Sequence, residues 1–334
     1  VCIISGVSGG TVGTLMFVTN RYQNELLGHR VMGGPGPTTE EVHRDLMAKS
    51  PALELAARSS LEAIAFGTTV DDLYGLIGIP GAVRCQRLED SFASRLTDSL
   101  RELTMGDWGD RATDGTVPIV IFNSTDAVTG RRVLFDTIPT PRRASSVGLT
   151  ARPLNYRELM EAGQQCFDVK PTTAARTSAT FPYISPFTRP ARASELGKHV
   201  AICDGGYVDN EGIVTAVNWV EFLLKRWAEQ IPDSRTFDRI LLLRIEPSSS
   251  EDQNQIPNSG GLAGWLRWLT GPAETMSKVR SASQLERGNL ETDLVALYLK
   301  LASTHTNQTP QVPSGTTKAI LASEEVQSSN VVDI

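Results

Sequence analysis

Five residues near the start of the chain, Gly6-Val7-Ser8-Gly9-Gly10, constrain its fold more than any other stretch. They follow Val1 to Ser5 (VCIIS), which reads as a short buried strand, and lead into a helical pattern that runs to about Leu27. A strand that becomes a helix over so few residues must turn sharply. G-x-S-x-G is the pattern in which such a turn forces a serine outward on strained backbone. Gly6 and Gly10 are expected to let the helix pack close to the strand. The N–H of Gly9 can point at a developing oxyanion, with the helix N-terminus adding partial positive charge. The competing reading is a glycine-rich turn that binds phosphate. Its two usual forms do not fit, because G-x-G-x-x-G needs glycine where Ser8 stands and no G-K-[ST] follows.

A serine hydroxyl needs a neighbouring base to become a nucleophile. Asp204 is the best placed candidate, directly after the apolar run Lys198 to Cys203 (KHVAIC) and before Gly205-Gly206. The carboxyl ends of strands in α/β sheets gather functional groups from distant parts of a chain. Taken alone, Asp-Gly-Gly is equally a plain turn.

The rest of the chain supplies the setting. Helical patterns fall at about Pro51 to Phe66, Gln86 to Thr104 and Ile213 to Glu229, with Thr38 and Glu41 as a capping box for one more. Val117 to Phe122 and Arg132 to Phe135 read as strands around a turn containing Asp126 and Gly130, and Arg239 to Ile245 as a further buried strand. Strands alternating with helices imply an α/β sandwich with a mostly parallel sheet. The organisation expected is a catalytic domain over residues 1–246, a linker over 247–261, a helical extension over 262–303 and a tail without regular structure over 304–334. The chain opens at Val1 already within a strand, which reads as the interior of a longer protein.

Composition narrows the function. A net charge of -6 with no basic cluster argues against nucleic acid. Four scattered cysteines, Cys2, Cys85, Cys166 and Cys203, suit neither a disulfide framework nor a C-x-x-C site. Four histidines, none at H-x-x-x-H spacing, give no zinc pattern, and calcium-loop spacing is absent, so no metal or other cofactor is expected.

Ser8 in GVSGG together with Asp204 in DGGYVDNEG resembles the patatin-like phospholipases and, more distantly, the cytosolic phospholipases of animals. Asn210 stands six residues after Asp204, where patatins usually carry asparagine; Gly212 stands where plant patatins have proline. FNSTDAVTGRRVLF (Phe122 to Phe135) looks like the family's strand–turn–strand segment. ARTSATFPYISP (Ala175 to Pro186) is similar to its R-A-[ST]-x-A-x-P segment, whose backbone lines the site. The resemblance covers about Cys2 to Ile245. It implies a three-layer α/β/α sandwich of patatin type, a Ser8–Asp204 catalytic dyad acting through an acyl-enzyme, and a phospholipid or other acyl-lipid substrate. The family completes its oxyanion hole from a glycine-rich D-G-G-G-x-[RK]-G loop before the nucleophile strand. No such segment precedes Val1, so Gly9 is the donor that can be named.

Three other readings stay open beside it. A Ser-His-Asp hydrolase would draw on His305, which follows Asp204 as that order demands, or on His29, His43 or His199, which precede it. A transacylase would use the same dyad, and a catalytically silent scaffold would only bind lipid. Leu262, Trp265, Leu266 and Leu269 share one helical face, with Trp268 beside it, which would suit a membrane interface, a lid or packing on the domain. Arg176 would meet a lipid phosphate or form a structural ion pair.

Overall fold

The computed structural model describes residues 2–28, 51–58, 84–141, 152–160, 168–180, 187–190, 193–229, 239–245, 283, 286–290, 292–293 and 329–333. Elements follow in the order β1 (Ile3–Val7), α1 (Gly9–Arg21), α2 (Gln23–Leu26), α3 (Pro51–Ala57), α4 (Arg84–Ala93), α5 (Asp98–Arg101), α6 (Met105–Thr113), β2 (Ile119–Asp126), β3 (Arg132–Asp136), β4 (Leu154–Asn155), α7 (Tyr156–Leu159), α8 (Pro171–Ser178), β5 (Ile202–Asp204), α9 (Ile213–Glu229), β6 (Arg239–Leu243) and β7 (Ser329–Asp333). The fold is mixed α/β, with an open sheet and flanking helices.

The sheet is organised around β2, whose residues are all buried, as befits a strand covered on both faces. β1 runs parallel to it, from Ile3 opposite Ile119 to Val7 opposite Asn123. β3 is antiparallel along Ile121–Thr125, and β4 is parallel to β3. The turn between β2 and β3 is closed by Asp126, whose carboxylate accepts from the N–H groups of Val128 and Thr129 at 3.2 Å each. Gly130 adopts φ 69 there, the left-handed conformation glycine takes without strain.

β5 also pairs with β2, antiparallel, from Ile202 opposite Asp126 to Asp204 opposite Ser124. A strand has two edges, and β3 already occupies one of them over the residues that β1 and β5 contact. β1 and β5 therefore lie on the same edge of β2, running toward each other. Their carboxyl ends meet where Asn123 passes to Ser124. Successive residues along a strand are about 3.4 Å apart, so the two ends are immediate neighbours.

Glycines allow this convergence. A Cβ at Gly205 would fall 2.1 Å from the Asn123 carbonyl oxygen and 3.0 Å from Val7 Cγ1. Gly6 sits against α1, where a Cβ would lie 3.1 Å from Thr14 Oγ1 and 3.2 Å from Thr11 Cα. Gly10, expected to share that role, does not: no atom lies within 4 Å of a Cβ built on it.

Several element boundaries differ from the sequence expectation. The helix expected over Gln86 to Thr104 is broken into α4 and α5, and a new helix, α6, starts after Thr104. That start is set by a capping box: Thr104 Oγ1 accepts from the Asp107 N–H at 3.2 Å while Asp107 accepts from the Thr104 N–H at 2.8 Å. Lys198 to Cys203 is not one long strand but a 3-10 turn at Gly197–His199 followed by β5. The physical reason is the partner: β2 ends at Asp126, opposite Ile202, and beyond that pair the Ala127 N–H still bonds the Ala201 carbonyl at 2.7 Å but no further ladder forms. Thr38, Glu41, residues 59–66, 247–261 and the apolar helical face at Leu262, Trp265, Leu266, Trp268 and Leu269 lie outside the described residues.

The chain divides into two compact units, Val1–Ala216 and Val217–Ile334. In the second, β6 pairs antiparallel with β7, so Ser329–Asp333, within the tail expected to lack regular structure, is extended and paired. β6 is not the buried strand expected, since Leu241 is 61% and Leu243 57% exposed.

The convergence of β1 and β5 makes opposite forecasts for two glycines. Gly205→Ala should destabilise the protein by about 1–3 kcal/mol or more through overpacking against Asn123. Gly13→Ala, within α1 with no atom within 4 Å of its Cβ position, should stabilise it by about 0.5–1 kcal/mol. Urea unfolding of both variants beside wild type checks the pair.

Candidate active site

The turn between β1 and α1 holds Ser8 at φ 51, ψ −125, the one non-glycine residue with positive φ among those described. A side chain in that region costs of order 1–3 kcal/mol and persists only where the surroundings impose it. Here they grip its main chain from two sides. The Ser8 N–H donates to Ser178 Oγ at 3.2 Å. The Ser8 carbonyl accepts from the Thr11 N–H at 3.0 Å and from the Thr11 hydroxyl. Gly9, the first residue of α1, is exposed, and a Cβ built on it meets nothing within 4 Å beyond its own helix and chain neighbours.

Asp204 ends β5 and is 4% exposed. Its Oδ1 accepts from the Gly206 N–H at 2.6 Å, and its own N–H donates to the Thr180 carbonyl at 2.9 Å. Both glycines of Asp-Gly-Gly thereby have a physical reason. Gly205 must pass over the Asn123 carbonyl, and Gly206 must bring its bare backbone against the carboxylate, with a Cβ there 2.8 Å from Asp204 Oδ1.

The register on β2 puts the two residues side by side along one edge of the sheet. Asp204 lies opposite Ser124, and Val7, the residue before Ser8, lies opposite Asn123. Two residues 196 positions apart in the sequence are thus brought together at one point on β2.

Beneath that point lies a buried polar chain. Asn123 Nδ2 donates to the Gly6 carbonyl and to Ser5 Oγ, both at 2.9 Å, and Asn123 Oδ1 accepts from Thr215 Oγ1 at 2.6 Å. Arg132 Nη1 donates to Thr215 Oγ1 at 2.8 Å, and the Ser5 hydroxyl donates to the Gly212 carbonyl at 2.8 Å. Burial pushes the nearby Asp209 carboxyl above the usual carboxylate range, opposed by Arg132 and by backbone N–H groups including that of Val214. Gly212 has φ 70, a conformation closed to proline.

Of the two fates weighed for Arg176, the structure shows the ion pair. It is 5% exposed, with Nε donating to Glu89 Oε2 at 3.1 Å and Nη1 to Thr188 Oγ1 at 2.8 Å. A guanidinium buried between those partners is not presented to a lipid phosphate. His199 is exposed in the 3-10 turn before β5, beyond the Asp126 end of β2 and away from Ser8. His29, His43 and His305 lie outside the described residues. Among the described residues no group of His, Cys, Asp and Glu could hold a metal ion, and no helix is long and apolar enough to cross a membrane.

Sequence reasoning did not single out Ser178, Thr11 or Asn123. Asn123 interrupts the apolar run that opens β2, whereas Ser178 and Thr11 sit in helices with several other hydroxyl residues and carry no such signal. A scan against models of protein families finds no match for this chain, and a search of curated proteins finds none either.

The strained turn gives a test that is independent of catalysis. Ser8→Gly should be more stable than Ser8→Ala by about 1 kcal/mol, because glycine relieves the positive φ and alanine does not. Equal unfolding midpoints in urea would show that the turn carries no strain.

Proposed function

We propose that this chain hydrolyses acyl esters of lipids, with Ser8 as nucleophile and Asp204 as base, in a patatin-type three-layer α/β/α sandwich. The observation that supports this best is the meeting of β1 and β5 on one edge of β2, which gathers an outward-turned serine and a buried carboxylate at the end of their strands.

In the reaction, Ser8 Oγ attacks the ester carbonyl and its proton passes to the Asp204 carboxylate. The oxyanion develops toward the Gly9 N–H. Collapse expels the alcohol portion of the lipid, which takes the proton from Asp204, and leaves the acyl group on Ser8. Water then attacks the acyl-enzyme, gives a proton to Asp204, and the fatty acid leaves as Ser8 recovers its proton. A carboxylate is a weak base in water, and 4% exposure of Asp204 supplies the enclosed setting in which it becomes a useful one. Neither metal nor histidine has a step in this scheme.

Hydrolysis of a short-chain p-nitrophenyl ester and release of fatty acid from phospholipid vesicles test the reading. Ser8→Ala and Asp204→Asn should each lower turnover by about a thousand-fold or more, and the double variant should be no worse, since the pair acts as a unit. His199→Ala and added chelator should leave turnover within a few-fold of wild type. A folded Asp204→Asn variant that turns over normally would sink the dyad.

A further inference from the structure

The end of α8 touches both members of the proposed dyad, and one hydroxyl there joins the elbow to the strand beneath it. Ser178 is fully buried. Its Oγ accepts the Ser8 N–H at 3.2 Å and donates its own proton to the Asn123 carbonyl. Two residues on, the Thr180 carbonyl accepts the Asp204 N–H at 2.9 Å. The α8 side also reaches α1 through Thr11, whose hydroxyl lies 3.3 Å from the Ala175 carbonyl while gripping Ser8.

These contacts separate two effects. β2 register brings the strand ends together, but register alone fixes Ser8 only to the end of β1. The φ of Ser8 is beyond the strand, and what holds it on the N-terminal side is the Ser178 hydroxyl. A serine there is suited to the task because it accepts and donates at once, which alanine cannot do. We infer that Ser178 is a positioning residue: it sets the Ser8 turn against β2 and, through Thr180, sets the distance from Ser8 to Asp204. This rests on the dyad reading above and adds to it a residue that touches neither substrate nor leaving group.

Another face of α8 provides a control. Thr173 and Arg176 both engage Glu89 on α4, and that contact anchors the helix without touching Ser8. A purely structural role for Ser178 would make it equivalent to this anchor.

The experiment is phosphonylation of the full chain by a fluorophosphonate probe, in which Ser8 Oγ bonds phosphorus, fluoride leaves and the serine proton passes to Asp204. The labelled peptide is identified by mass, and ester kinetics are measured in parallel. Ser178→Ala should lower the labelling rate and kcat by about a hundred-fold with KM unchanged, the scale on which small misplacements act. Ser178→Thr, which keeps the hydroxyl, should recover most of the rate. Glu89→Gln should lose stability yet label within about three-fold of wild type. If Ser178→Ala does not fold, Ser178→Cys, with a weaker donor and acceptor, should label at an intermediate rate. A wild-type rate for whichever of these two folds overturns the proposal while leaving the dyad standing. So does a Glu89→Gln variant as slow as Ser178→Ala. A wild-type chain that is never labelled at Ser8 overturns the dyad and this proposal together.

Discussion

One edge of β2 is shared by two strands that run at each other, and the local structure of the site depends on that collision. β1 uses the edge as far as Asn123 and β5 uses it from Ser124 onward. Both chains must leave the sheet at the same place. β1 does so by turning into α1, with the turn at Ser8 taken at positive φ. β5 does so by folding over the Asn123 carbonyl, where only a residue without Cβ fits, and that residue is Gly205. The two glycine-rich turns are therefore two answers to one crowding problem, and the serine and the carboxylate are the side chains left at the junction.

A strained turn beside a strand end is stable only if its surroundings hold it. Ser8 gives its N–H to Ser178 and its carbonyl to Thr11. Each such hydrogen bond contributes about 1 kcal/mol net, comparable with the strain itself. Behind the turn, Asn123 ties β1 to α9 through Ser5, Gly6 and Thr215. A buried polar chain of this kind is rigid when each member is paired and costly when one is not. That makes β2 stiff at the point where the two side chains must be held.

The sequence was most legible where structure is local. G-x-S-x-G after an apolar run announced the strand, the turn and the helix together, and Asp126 with Gly130 marked the hairpin between β2 and β3. Ser8 and Asp204 both stood out because each sits near glycines, and of these Gly6, Gly205 and Gly206 have a backbone reason to be there. Legibility failed where partners decide. The length of β5 depends on where β2 ends, and the exposure of Leu241 and Leu243 cannot be read from an apolar run. Arg176 looked the same whether its partner was a lipid or Glu89. Ser178 and Asn123 acquire their meaning from residues 170 and 117 positions away in the chain, a relation no spacing rule encodes.

The same observation explains why a site like this leaves so short a trace. Among the described residues, the hydrogen bonds of Ser8 run through its backbone N–H and carbonyl, and Asp204 is oriented by the N–H of Gly206 and tethered through its own N–H. The contacts that hold these two residues thus run largely through backbone groups. Main-chain contacts do not specify which residue makes them, so the strands need only be apolar and the helices only long enough to reach. On the proposed reading, what must be kept is small: a serine, an aspartate, the glycines that let their backbones pass, and a hydroxyl at the end of α8. A chain can meet those demands with most of its sequence free to vary, and the chemistry then rests on geometry rather than on any extended run of residues.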